Sequence, residues 1–177
     1  GGKENYHKTG ISLVRSLNVH DFIFAVDDLA FIDDKQAKSL SNVLLAEKDI
    51  LLNITGVSVA RCCMVPKFIL PARVNQHVLI IRSKPELSLA YYLLCSLCYS
   101  ENKSQLLWIS QSCSTREAIT KIEVENFKIL IPDNTILRSF EKNMDGVFNV
   151  IESKIIQNKY LIEFRDILLS KLTTIEN

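Results

Sequence analysis

Glycine and proline are scarce in this chain, at five and four among 177 residues. Collagen-like repeats and low-complexity linkers need several times more of both, so these classes are excluded. No apolar run is long enough to cross a bilayer, and no stretch reads as a secretory signal. Cysteine occurs in a number that argues against a disulfide framework. The five (Cys62, Cys63, Cys95, Cys98 and Cys113) are odd in count and two are adjacent, which fits a reducing cytoplasm. Neither sign of charge dominates: 21 Lys and Arg against 20 Asp and Glu leave a net charge of +1. What the chain does have is apolar content, 47% of its residues. That suffices for one compact domain plus an appendage. The chain opens on Gly1-Gly2 without a methionine. The pair is read as a cloning remnant, and the expectation is a piece of a longer protein.

The small net charge hides an uneven distribution. Residues 1–49 carry six basic and eight acidic side chains, residues 50–122 eight and three, and residues 123–177 seven and nine. Their net charges are therefore −2, +5 and −2. Only the middle third suits a polyanion, although many ordinary domains are as uneven.

The pattern of apolar and breaker residues predicts an α+β domain with one small mixed sheet over residues 1–132. Ile11 to Val19 reads as a short strand that Ile23 to Val26 continues. Asp27, Asp28, Asp33 and Asp34 form an acidic loop. Asp34 then caps a short helix, Lys35 to Leu44, with Ala37, Leu40 and Leu44 inward. Asp49 to Thr55 is a buried strand ending at Gly56, and Val57 to Val65 is its hairpin partner, closed by Pro66. Val74 to Arg82 is another strand. Pro85 starts a helix through Tyr99, with Leu89, Leu93 and Leu97 repeating at fourfold spacing. Ser100 to Thr115 reads as polar and irregular. Ile122 to Phe127 is a turn or short helix, and Phe127 to Ile131 a final strand.

Residues 133–177 read as one long helix. Met144, Val147, Ile151, Asn158, Leu161, Leu168 and Leu172 recur at spacings of three, four and seven, and Ile155, Ile162 and Leu169 widen the stripe. From Asn134 to Leu172 such a helix is roughly 58 Å long at about 1.5 Å per residue. It is expected to project from the domain and to need a second helix along its seam. Asn158 sits inward, where a polar residue sets register or partner number at some cost in stability. The alternative is a terminal helix lying along its own domain.

Several blocks stand in a telling order. Asp49 to Pro66 reads D-I-L-L-N-I-T-G-V-S-V-A-R-C-C-M-V-P, and Pro71 to Val78 reads P-A-R-V-N-Q-H-V. Then come T-R-E-A-I-T-K (Thr115 to Lys121), E-N-F-K-I-L-I-P (Glu125 to Pro132) and, late in the long helix, R-D-I-L-L-S-K-L (Arg165 to Leu172). From about Gly10 onward the chain resembles one target-recognition domain and its following spacer helix from the specificity (S) subunit of type I restriction-modification enzymes. No single block is diagnostic; their order is. Three positions depart from the family pattern. Ser12 stands where Pro is frequent, Ala60 where Gly often precedes Arg61, and Arg138 where Gln commonly opens the helix.

The resemblance implies a non-catalytic cytoplasmic subunit that reads one half of a bipartite DNA site and needs no cofactor. It implies an antiparallel coiled coil between spacer helices. The implied partners are double-stranded DNA, adenine methyltransferase (M) subunits, a motor-nuclease (R) subunit, and a second S half or a second copy of this chain. The chain is then either half of a subunit or a natural half-subunit. A coiled-coil adaptor or inhibitor that occupies the S position without reading DNA is the alternative.

The residues suit a DNA face in places. Thr55, Gly56 and Ser58 make a hydroxyl-rich turn, and with Arg61 they are expected at the duplex backbone; a plain hairpin has the same sequence. Asn75, Gln76 and His77 have base-edge chemistry, since Asn and Gln pair bidentately with adenine; satisfying buried backbone is the competing role. Thr115 and Arg116 lie in a polar stretch, where Arg116 reads guanine, holds phosphate or is simply solvated. Lys121 closes the same block. Arg15 and Ser16 end a strand, and Arg15 has the acidic loop as a competing partner.

Other chemistry fits less well. Cys95 and Cys98 have metal-ligand spacing but sit in an amphipathic helix without a second pair, so they are read as core cysteines. Asp133 and the Glu152-Ser153-Lys154 run mimic a metal-dependent nuclease, but on one helix the two acids are about 28 Å apart. No glycine-rich phosphate loop or methyltransferase motif occurs.

Overall fold

The computed structural model describes residues 6–84, 87, 89–112 and 117–175. The chain falls into two compact units, Gly1–Glu141 and Lys142–Asn177.

The first unit is α+β. Its middle strands are β1 (Ile11–Val14) and β3 (Ile50–Asn53). β1 lies antiparallel to β2 (Ala30–Ile32) and parallel to β5 (Ala72–Val74). β3 lies antiparallel to both β4 (Cys62–Met64) and β6 (Val78–Ile81). The expected single sheet is therefore two sheets of three strands. Val14, Leu51, Cys63, Ala72, Val74 and Val78, contributed by both, share one core with Val19 and Phe24. Strand alternation sends Leu13 the other way, where it packs with Ala30, Ile32 and Ala37 of α1 (Asp34–Ser39). β3 is buried along its whole length, as the apolar run Ile50 to Leu52 demands. Next to β1, Gly10 has φ +141°, and a Cβ there would sit 2.5 Å from the Ile32 carbonyl oxygen. Only glycine fits that approach.

Several boundaries move. β1 stops at Val14 because Ser16–Asn18 winds into a 3-10 turn, and of the stretch Ile23 to Val26 only Phe24 bridges back, to Val19. The cap of α1 is Asp33, not Asp34. Asp33 Oδ1 accepts from the Gln36 N–H at 2.7 Å, and Gln36 Oε1 accepts from the Asp33 N–H at 3.0 Å. This reciprocal pairing satisfies two orphan donors at once. A 3-10 turn, Ser41–Val43, then diverts the chain and leaves Leu44 exposed rather than inward.

The other differences have local causes. The partner of β3 is only three residues long, because Gly56–Ser58 forms a 3-10 turn and Ala60 sits at φ +65°. Val74 to Arg82 is two strands in different sheets, broken where Asn75 Oδ1 accepts from the His77 N–H at 3.1 Å. Such Asx turns replace ladder bonds locally. Ser100 to Ser112 is a helix, α3, not an irregular stretch, and only Leu106 and Ser110 are buried on it. A one-turn apolar contact leaves almost no periodic signal. α4 is Lys121–Glu125, capped by Thr120. Phe127 to Ile131 forms no regular secondary structure and joins no sheet among the described residues. Tyr92 Oη donates to the Leu130 carbonyl there at 2.5 Å.

α2 (Ala90–Cys98) buries Ala90, Tyr91, Leu94 and Leu97. Its N-terminus has no cap of its own. The buried carboxylate of Glu141 supplies one, accepting from the N–H groups of Tyr91 at 3.3 Å and Tyr92 at 2.7 Å. An anion there also suits the helix dipole.

α5 runs unbroken from Asn134 to Ile175. Asp133 Oδ1 opens it, accepting from Thr135 N–H at 2.9 Å and Ile136 N–H at 3.1 Å. Within the second unit, Met144, Ile151 and Ile155 are half-buried, while Val147, Asn158, Leu161, Ile162, Leu168 and Leu172 are exposed. Leu161 and Leu172 are 58% and 61% exposed. Among the described residues no helix is long and apolar enough to cross a membrane.

Candidate nucleic-acid interface

Strand direction gathers the candidate residues. β1 and β5 are parallel, with Val14 opposite Val74, so Arg15-Ser16 and Asn75-Gln76-His77 leave the first sheet from the same end. In the second sheet Asn53 faces Val78, so Thr55 leaves β3 where His77 enters β6. The Asn75 N–H donates to the Val14 carbonyl at 3.0 Å, and the Ile54 N–H to the His77 carbonyl at 3.0 Å. Thr55 Oγ1 and His77 Nδ1 are 2.8 Å apart. Three segments far apart in sequence thus form one hydrogen-bonded surface.

Asn53 ties it together from below. Its Nδ2 donates to the Ser16 carbonyl at 2.9 Å, to the Val19 carbonyl at 3.4 Å and to Ser58 Oγ at 3.1 Å. Asn53 is fully buried. The sequence reading passed over it, although an amide inside the run Asp49 to Thr55 is the signal: a buried polar side chain must find partners. Val57 was also missed. It stands 97% exposed at the tip of the Gly56–Ser58 turn.

The other candidates differ in availability. Arg61 is exposed, and its guanidinium has no hydrogen-bond or ion-pair partner among the described residues. Gln76 is exposed with Nε2 3.3 Å from His77 Nε2. Gly56, at φ +73°, has open space around its Cα. Its N–H donates to the Glu117 carbonyl at 2.9 Å, so the chain just after Thr115 and Arg116 passes alongside the turn. Thr115 and Arg116 themselves lie outside the described residues. Arg15 turns back on the unit: its guanidinium lies 5.1 Å from the Tyr6 ring centroid and donates to the Asp28 carbonyl. This is the competing role in the acidic loop, met through backbone rather than carboxylate. Lys121 pairs with Glu125 at 3.4 Å and lines a cleft of about 530 Å³ with Ile54, Val78 and Val124.

Ala60 adds a local constraint. Its left-handed backbone is costly for any residue with a Cβ, by about 1 kcal/mol or more. Glycine is the residue that avoids that cost.

The thiols divide by environment. Burial raises the pKa of Cys63 and Cys95. Cys98 is lowered, first by the thiol of Cys62 hydrogen-bonded to it. Asp21, Cys62 and Cys98 place their ligand atoms within 4.8 Å of one another. Lys103 Nζ, 2.5 Å from Asp21 Oδ1, already neutralises that carboxylate.

Comparison with protein-family models and with curated proteins gives no match.

Proposed function

We propose that the chain is a DNA-sequence-reading specificity subunit of a type I restriction-modification complex. It reads one half-site with its first unit and docks its long helix on a second S half or a second copy. The observation that carries this is the convergence of Ser16, Thr55, Ser58 and His77 on one surface, bound through Asn53 and Thr55. Hydroxyls and amides there, and Arg61 next in the chain with its guanidinium unpaired among the described residues, supply both phosphate and base-edge chemistry. The exposed apolar side chains of the second unit supply a docking surface for another helix. In this reading M subunits extrude and methylate the target adenine, and the R subunit cleaves.

The test is selection from a random duplex pool by the chain assembled with its M subunits. Enrichment of a short half-site supports the reading. Retention of duplex without enrichment, or none, supports an adaptor instead. Arg61→Ala is expected to weaken all duplexes alike and to reduce the slope of log K against log salt by about 0.9, one phosphate contact. A loss confined to one base position assigns Arg61 to base reading.

Asn158→Leu is expected to strengthen helix association, since a buried leucine contributes roughly 1.5–3 kcal/mol. It should also admit other registers or higher oligomers. Sedimentation showing unchanged mass and affinity counts against Asn158 facing the seam.

A further inference from the structure

A second chemistry lies beside the candidate DNA turn. Cys62, wholly buried, opens β4, and Cys98, half-buried, closes α2. Their Sγ atoms are 3.4 Å apart although 36 positions separate them in sequence. Two elements that pack on each other, α2 and β4, hold them there. The Cys62 N–H donates to Asp21 Oδ1 at 3.1 Å, and Cys98 Sγ is 3.9 Å from the same oxygen. Lys103 reaches across from α3, donating to Asp21 Oδ1 at 2.5 Å and to the Ala60 carbonyl. The two sulfurs therefore share a pocket with one carboxylate and one ammonium. Neither Cys63, in the main core, nor Cys95 has a sulfur partner among the described residues.

We infer that Cys98 and Cys62 form a peroxide-oxidisable dithiol that closes to a reversible Cys62–Cys98 disulfide. The division of labour follows from position. Cys98 is nearer solvent, shares a hydrogen bond with Cys62 that lowers its pKa, and lies within the field of Lys103, so it is the sulfur better placed to attack as thiolate. Cys62 is buried and keeps its proton. The Cys98 thiolate attacks one oxygen of hydrogen peroxide. The O–O bond breaks, and the departing hydroxide takes up a proton to become water, leaving a sulfenic acid on Cys98. The Cys62 sulfur then attacks the Cys98 sulfur. Its proton joins the leaving hydroxyl, a second water departs and the S–S bond forms. The dithiol loses two electrons and the peroxide gains them. The sulfurs need to close by only about 1.4 Å to reach bonding distance. The new bond would fix α2 to the strand that follows Arg61, tying the rigidity of the candidate DNA turn to oxidation.

The experiment treats the reduced full chain with a small excess of hydrogen peroxide, alkylates the remaining thiols and maps the digest by mass spectrometry. Cys62 and Cys63 fall in one tryptic peptide and Cys95 and Cys98 in another, so fragmentation assigns the link, with Cys63→Ala and Cys95→Ala as cross-checks. The expected result is one cross-linked peptide joining Cys62 to Cys98, lighter by two hydrogens and opened by dithiothreitol. Cys98→Ser should abolish it. A link between any other pair overturns the inference. So does oxidation of Cys98 to sulfinic acid while Cys62 remains alkylatable. Both outcomes are read on the natural sequence, so neither depends on a variant folding.

Discussion

Arg82→Ala is expected to lower the unfolding free energy by about 3 kcal/mol, the lower end for breaking a buried ion pair. Asp49 is fully buried. Its carboxylate accepts from Arg82 Nε at 2.6 Å, Arg82 Nη2 at 2.7 Å and the Ala46 N–H at 2.7 Å. Deleting the guanidinium leaves a buried anion with one neutral donor. The lower end applies because the Arg82 side chain is 54% exposed, so water enters the vacated rim and screens part of the loss. Arg82 also donates to the Leu44 carbonyl at 3.0 Å, holding the turn after α1. Combining Arg82→Ala with Asp49→Asn should recover part of the loss, since a neutral amide is cheaper to bury unpaired. Urea midpoints with an unchanged slope measure both. A loss below about 1 kcal/mol, the range of ordinary surface pairs, would remove this pair as an anchor of β3.

Asn53→Ala is expected to cost about 2–3 kcal/mol and to weaken DNA retention together. The substitution strips a side-chain donor shared by the Ser16 and Val19 carbonyls and Ser58 Oγ. The Ser16 carbonyl keeps the Val19 N–H at 3.2 Å, but the Val19 carbonyl is left without a donor among the described residues, and a buried acceptor so left costs about 1–3 kcal/mol. Part of the loss is offset, because Asn53 Oδ1 is itself buried without a partner among the described residues, and alanine removes that penalty. Asn53 is a positioning residue, so its signature should differ from that of Arg61. Affinity for all duplexes falls while the salt slope stays, since no phosphate contact is lost. A flattened slope on Asn53→Ala would mean that the variant disturbs Arg61 itself. Unchanged binding in a folded variant would remove Asn53 from the interface.

What the sequence disclosed depended on whether a signal was local. The run Ile50 to Leu52 is apolar and bounded, and with Asn53 it is buried as a strand. α5 was legible because its apolar spacing persists over many turns without proline. α3 was not: Trp108 is exposed, and its polar string Ser100 to Gln105 looks like a loop until Leu106 finds a pocket. Phe127 to Ile131 has strand composition, but a strand exists only through a neighbour, and none among the described residues pairs with it. The division into two sheets was equally invisible, because the break at Asn75 is a side-chain hydrogen bond. At the interface, residue types suggested Thr55, Ser58 and His77, whereas their juxtaposition and the amide beneath them are tertiary facts.

The order of strands in the first sheet bears on synthesis. β1 takes β2 as one neighbour early, but its other neighbour, paired Ser12 with Ala72, is made much later. Counted from Ile32, at about 5–20 residues per second, roughly forty further residues take on the order of 2–8 seconds to emerge. During that interval the nascent chain carries a two-stranded ribbon with one open flank, the form in which a chaperone at the ribosome exit would meet it.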